Sequence, residues 1–184
     1  MNSFIDFFVN GWWQIIVTVV VAYLFGSINF AIIITKIVDK KKDIREMGSG
    51  NAGFTNVLRS VGKGPAVFTI VFDFLKAIIA VIIGGFLFST IIANSDMQSA
   101  EFTAYGKYLA GLCCIAGHMF PVYFGFKGGK GVATLVGAIT GIQPSIMLLC
   151  FGVWFIIFMV SHYVSLASMI AGCCFPLFVG IFSH

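Results

Sequence analysis

Most of the polar chemistry this chain can offer sits in two short glycine-rich stretches. In GSGNAGFTN, Gly48, Gly50 and Gly53 spell G-x-G-x-x-G. Ser49, Asn51, Thr55 and Asn56 add neutral hydrogen-bond donors, and Arg59 follows. Glycines let backbone amides turn toward a bound anion, a following helix N-terminus adds favourable partial charge, and a guanidinium is a fork shaped for phosphate. The stretch reads as an anion cradle, against the plainer reading of a polar turn between two membrane spans. In FKGGKGVAT, Lys127 and Lys130 surround Gly128 and Gly129, and Gly131 opens an apolar segment, the same grouping of amides and ammonium groups. Lysines beside a membrane also anchor to anionic lipid. Anchoring has no need of Gly128, Gly129 and Gly131, whose flexibility costs stability. Ser165 and Ser168, three apart in YVSLAS, share a helix face as a third polar group, although capping or back-bonding to the helix is the commoner use of such hydroxyls.

Nucleotide chemistry is not supported. A dinucleotide turn needs a hydrophobic strand before the glycines and an acidic residue about 20 positions beyond them. Here the charged DKKKDIREM precedes Gly48, and Asp73, the acidic residue at that distance, falls inside an apolar run. The GGKG stretch is not a P-loop either, because Phe124 stands where Gly is required and Gly131 where a hydroxyl is required.

Four titratable groups lie in or near apolar runs. Asp73 and Lys76 in DFLKA have the i, i+3 spacing of an ion pair, and charges placed inside a membrane face a protein interior or one another. His118 in GHMFP is either a general base or a hydrogen-bonded histidine beneath a proline turn, and His162 is a weaker candidate. The five cysteines, Cys113, Cys114, Cys150, Cys173 and Cys174, occur without a C-x-x-C and are expected to pack in the interior rather than bind metal.

The elements that must hold these residues are membrane helices. Of 184 residues, 59% are hydrophobic and 10% charged, proportions unsuited to a water-exposed surface. An uncharged run extends from Trp12 to Thr35, and further apolar runs cover Pro65 to Asn94, Tyr108 to Phe126, Gly131 to Ser161 and Val164 to Ser183. About 20 helical residues cross the hydrocarbon core, so the run from Gly131 is long enough for two passes, the second opened by Pro144. Six spans are expected, or five if that run is one tilted helix. The residues before Trp12 include Asp6 and no basic residue, so no cleaved leader is expected. Seven of the eleven basic residues fall between Lys36 and Lys63, which assigns that loop to the cytoplasm, while the loop with Asp96 and Glu101 suits the outer face. Alternation then returns the GFKGGKG loop and the SHYVS loop to the cytoplasmic side, with the N-terminus outside.

In GSINF, DIREMGSGNAGFTNVLR, DFLKA, GHMFPVYFGFKGGKGVAT and YVSLAS, taken in order, the chain resembles the bacterial membrane acyl-phosphate:glycerol-3-phosphate acyltransferases. The resemblance implies an all-α, polytopic transmembrane bundle, with six of the family's seven spans here, as a single acyltransferase domain in the bacterial inner membrane. It implies no nucleotide or metal cofactor and no nucleic-acid partner. The implied reaction moves a fatty acyl group from acyl phosphate to the 1-hydroxyl of glycerol 3-phosphate, giving lysophosphatidic acid for phospholipid synthesis. The enzyme that makes acyl phosphate is an implied partner, and membrane lipid the implied surroundings. Phosphate-binding roles carry over onto Ser49, Arg59, Lys130 and Ser168, supported by their neighbouring loop residues. His118 is held in reserve as a base, since the mechanism implied lets a substrate phosphate take the proton. The family pattern continues with another span and a third motif containing His and Asn, which His184 does not match, so the chain is expected to be truncated at its C-terminus. From the residues alone, a transporter or channel for organic phosphate stays open beside the enzyme.

Overall fold

A computed structural model describes residues 2–92 and 99–182. Asp96 and His184 lie outside the described residues. Among the latter the chain is helical, with no strand: α1 (Asn2–Ser27), α2 (Phe30–Val38), α3 (Phe54–Ser60), α4 (Lys63–Ile92), α5 (Ser99–Met119), α6 (Val132–Ile142), α7 (Pro144–Ser161) and α8 (Val164–Phe182). Short 3-10 turns occupy Ile44–Glu46 and Val122–Phe124.

The apolar runs become helices with three instructive departures. The first run is broken at Ile28 and Asn29, where Asn29 starts α2 afresh by accepting a hydrogen bond from the Ile32 amide through Oδ1. The third run was expected to reach Phe126, but α5 ends at Met119 because Pro121 forces the chain before it out of helical geometry. The long run from Gly131 divides as Pro144 suggested: Gln143 is the cap and Pro144 the first residue of α7, where its missing N–H costs nothing. Gly11–Val38, Lys63–Ile91 and Pro144–Ser161 are long and apolar enough to cross a membrane, while Val132–Ile142 and Leu166–Phe182 are shorter apolar helices. At 1.5 Å per residue α6 is about 16 Å long, roughly half the hydrocarbon thickness.

Residues 1–142 form one compact unit and residues 143–184 another. In the first, α4 packs on α1, α5 and α6 through a core of small side chains, Ala22, Ala77, Ala80, Ala110, Cys114 and Ala138 around Val81. With lipid as apolar as leucine, close backbone approach rather than water exclusion holds such helices together. A Cβ at Gly26 would collide with the Cys114 carbonyl. Large apolar groups on the opposite faces, among them Ile82, Phe86 and Leu112, are exposed, as a lipid-facing surface requires. A second core of Ala31, Ile32, Ile44, Ala52, Val57 and Ala66 pins the loop after α2 against α3 and the start of α4.

In the second unit α7 packs against α8, and Phe151, Trp154 and Phe158 stack in sequence along α7. His162, with φ of 58°, ends α7 by donating its backbone N–H to the Phe158 carbonyl. The cysteines are all free thiols. Cys114 and Cys150 are buried as expected, but Cys173 is exposed, because a face bordered by lipid accepts a thiol as readily as a core does.

Candidate active site

The first glycine-rich loop is shaped by one buried side chain. Asn56, on α3, donates through Nδ2 to the carbonyls of Ile44 (3.0 Å) and Met47 (2.8 Å), and its Oδ1 accepts from the Ser49 amide at 3.0 Å. Gly48 and Gly50 take positive φ angles of 54° and 70° to bring the chain around it. The loop is no dinucleotide turn, since a 3-10 turn rather than a strand leads into it. Its amides are mostly engaged: Ser49 with Asn56, Gly50 with the Met47 carbonyl, Gly53 with the Asn51 carbonyl. What the loop offers an anion is therefore side chains more than backbone, and Asn56 acts as its brace rather than as a free donor.

The second loop passes beneath α5. The Gly128 amide donates to the Met119 carbonyl and the Gly129 amide to the His118 carbonyl, so these two are also unavailable to a ligand. Gly129 is wedged between the two loops. A Cβ there would collide with the carbonyl of Ala52 on one side and Nε2 of His118 on the other. The loop then opens α6, whose first-turn N–H groups have no intrahelical acceptor.

Between these parts lies a cavity of about 920 Å³. Ser49, Asn51, Gly53, Thr55, Asn56 and Arg59 line it from the first loop and α3, and Lys130, Gly131 and Val132 from the second loop and α6. His118 and Asp73 reach it from α5 and α4. Apolar side chains of α4 (Ile70, Val71, Phe74, Leu75) and of α6 (Val132, Val136) complete the wall. Lys127, Gly48, Gly50, Gly128 and Gly129 are not on the lining. Ser168 belongs to the second unit, on α8, where its Oγ accepts from Trp154 Nε1 at 3.1 Å. Ser165 lies on the first turn of the same helix.

The electrostatics of the cavity are one-sided. Among the described residues Arg59 and Lys130 have neither a hydrogen-bond nor an ion-pair partner, although both are exposed and face the cavity. Two cations outside it are matched: Lys42 with Asp39 at 3.3 Å, and Arg45 with Asp43 at 2.7 Å. The hydrogen bonds from Arg45 hold the Asp43 carboxyl down at about 2, against partial burial. The one carboxylate on the cavity wall, Asp73, is neutralised by Lys76, 2.8 Å away, as the i, i+3 spacing suggested. The cavity is thus left with two uncompensated positive charges and an apolar side, a setting for a phosphate joined to an apolar group.

Lys76 does more than balance Asp73. Its Nζ donates to the carbonyls of Gly26 (3.1 Å) and Ile28 (2.6 Å), the groups exposed where α1 breaks from α2, and approaches His118 Nδ1 at 3.0 Å. This explains how a membrane helix tolerates the break: a buried ammonium group replaces the missing intrahelical donors.

The sequence pointed to the cationic and hydroxyl lining but not to the apolar wall. Its signal was present as the i, i+4 pairs Ile70 with Phe74 and Val132 with Val136, indistinguishable from lipid-facing residues until the helices are assembled. Nor did it mark Gly129 as the spacer between the two loops, since nothing in the spelling GGKG distinguishes Gly128 from Gly129.

A helical integral membrane protein with two unneutralised cations in a partly apolar pocket is the class the fold and site define. The glycerol-3-phosphate acyltransferase family model matches residues 16–183. The glycerol-3-phosphate acyltransferase of Clostridioides difficile is 42% identical over 164 residues, 89% of this chain and 76% of the relative. That of Aquifex aeolicus is 43% identical over 153 residues, 83% of this chain and 72% of the relative. The crystal structure of PlsY (YgiH), described as an integral membrane glycerol 3-phosphate acyltransferase in its glycerol 3-phosphate form, superimposes with a TM-score of 0.72 and 41% identity, covering 91% of this chain and 76% of that one. The corresponding lysophosphatidic acid form gives 0.69 and 39%, with the same coverage. The chain belongs to the glycerol-3-phosphate acyltransferase family, and it is an integral membrane enzyme of that class.

Proposed function

We propose that the chain transfers a fatty acyl group from acyl phosphate to the 1-hydroxyl of glycerol 3-phosphate, releasing inorganic phosphate and lysophosphatidic acid, at the cytoplasmic face of the bacterial inner membrane. The observation that carries this reading is the pair of unpartnered cations, Arg59 and Lys130, lining a cavity that apolar side chains of α4 and α6 complete. Two phosphorylated reactants, one with a fatty tail, need that combination. The basic residues between Lys36 and Lys63 support the cytoplasmic orientation.

Acyl phosphate is a mixed anhydride whose phosphate leaves without prior protonation. The C1 hydroxyl oxygen of glycerol 3-phosphate attacks the acyl carbon, the bond from that carbon to the phosphate oxygen breaks, and its electron pair departs with phosphate. The hydroxyl proton passes to a substrate phosphate oxygen, so the protein need supply no nucleophile. Its task is alignment and charge stabilisation, each able to lower the barrier by several kcal/mol. Arg59, Lys130 and the Ser49 hydroxyl hold the phosphates, and Phe74, Leu75 and Val136 receive the first carbons of the acyl chain. Ser168 takes a phosphate-type role from its place in YVSLAS, and accepting from Trp154 leaves its own O–H free to donate.

The test uses the protein reconstituted in sealed vesicles with labelled glycerol 3-phosphate. Labelled lysophosphatidic acid should form only when acyl phosphate is added. Label accumulating unchanged inside the vesicles would instead identify a transporter, and formation of the lipid from acyl-CoA alone would overturn the donor.

A further inference from the structure

We propose that His118 serves the acyl transfer as a neutral N–H donor to a substrate phosphate oxygen, and that Asp73 and Lys76 are positioning residues that fix its tautomer. The proposal rests on the phosphate-transfer reading above and adds a residue and a role to it. Nδ1 of His118 has two neighbours, Lys76 Nζ at 3.0 Å and Asp73 Oδ1 at 3.5 Å. The first is a hydrogen bond and the second is too long for one. An ammonium group can only donate, so Nδ1 must accept, and a neutral ring that accepts at Nδ1 carries its proton on Nε2. Lys76 cannot turn away: its other two N–H groups go to the Gly26 and Ile28 carbonyls, and Asp73 Oδ1 holds it as an ion-pair neighbour 2.8 Å away.

The Nε2–H has no partner among the described residues, yet His118 is 3% exposed and lines the cavity. The atom is not sealed off by protein, so what it meets is the content of the cavity. Nε2 lies against Gly129, the residue before Lys130 in the chain, and His118 shares the cavity lining with Lys130 and Arg59. The charged groups around it are Asp73 and Lys76 on α4, Lys130 on the second loop and Arg59 on α3; α1 contributes only carbonyls. A phosphate held by the two free cations is the acceptor this donor lacks. The same arrangement removes His118 as general base, because Nδ1 is occupied by the ammonium and Nε2 already bears its proton. His118 donates a hydrogen bond and transfers no proton.

Two side chains separate the roles of the ring nitrogens. In His118→Gln the amide N–H reaches the Nε2 position, whereas in His118→Asn the amide reaches only toward Lys76. Turnover should fall on the order of 100-fold in His118→Asn, the usual effect of deleting one charge-stabilising donor, and much less in His118→Gln. Separate KM measurements for glycerol 3-phosphate and for acyl phosphate identify whose phosphate is bonded, the affected substrate showing the larger rise. Equal losses in both variants, with a pH limb present in the parent and absent from both, would establish a base and overturn the proposal. Because either variant could misfold, the tautomer is also read in the unmodified, nitrogen-labelled protein, by difference against His118→Gln. A one-bond N–H coupling at Nε2 and none at Nδ1 is expected; the reverse overturns the proposal. This spectrum is independent of turnover, so failure of the acyl-phosphate reaction itself would count against the function and not against the tautomer.

Discussion

The Arg45 guanidinium donates through Nη1 to the carbonyl oxygen of Phe124, 2.7 Å away, while Nε and Nη2 grip the Asp43 carboxylate. This fork ties the loop before the first glycine cluster to the turn before the second, so the two cationic walls of the cavity are set by one side chain. Arg45→Gln should lower kcat/KM on the order of tenfold without touching substrate, since one charge-assisted hydrogen bond is worth about 1.5–3 kcal/mol. Steady-state kinetics on the purified variant checks this.

The same pair makes stability depend on acid. Folding lowers the Asp43 carboxyl from 3.8 to about 2, chiefly through its hydrogen bonds with Arg45. A depressed carboxyl stabilises the fold above its unfolded value and loses that contribution as pH falls toward the folded one. The pair should therefore contribute about 1 kcal/mol at neutral pH, after solvent screening, and nothing below pH about 2. Thermal unfolding in detergent should show Arg45→Gln less stable than the parent at pH 6, with the gap closing between pH 4 and 2. A gap independent of pH would show that the ion pair is not its source.

Gly129→Ala should disable the site while Gly64→Ala leaves it intact. At Gly129 the new methyl group collides with the Ala52 carbonyl and the His118 ring, so the second loop must move and take Lys130 with it. Turnover falls at least on the order of 100-fold, as expected when aligned groups are displaced by about 1 Å. At Gly64, in the first turn of α4, no atom stands near the added group, and the helix gains about 0.5–1 kcal/mol from reduced backbone freedom. Activity and melting temperature measured together on both variants decide the matter.

Arg59→Ala and Lys130→Ala should each cost on the order of 100-fold in kcat/KM, with the fold retained, because neither side chain supports any other part of the protein. Lys127→Ala, three residues from Lys130 but off the cavity lining, is the control and should stay within a few-fold of the parent. Near-normal kinetics in either of the first two variants would remove the phosphate assignment.

Asn56→Ala should destabilise the first loop by about 3 kcal/mol, since it strands the Ile44 and Met47 carbonyls and the Ser49 amide together. The expected outcome is a lower melting temperature and a raised KM for glycerol 3-phosphate, with Ser49→Ala changing KM but not melting.

The sequence by itself determined the helical membrane architecture, because an uncharged stretch of sufficient length must satisfy its backbone internally wherever water is absent. It also determined the chemistry of the lining: Arg59, Lys130 and Ser49 are legible as phosphate-type groups from residue type and neighbouring glycines, and DFLKA announces its own ion pair by spacing. Tertiary structure alone decided which polar groups face a ligand. Asn56 and Ser49 look alike as donors in the sequence, and both line the cavity, yet the buried one spends its side chain bracing the loop while the exposed one keeps its hydroxyl for a ligand. The break after Ile28 is likewise invisible locally, since the donor that permits it, Lys76, arrives from a helix about 50 residues away. The tautomer of His118 follows from that same lysine. Hydropathy and spacing record what a residue can do, whereas partners distant in the chain determine which of those capacities is already taken.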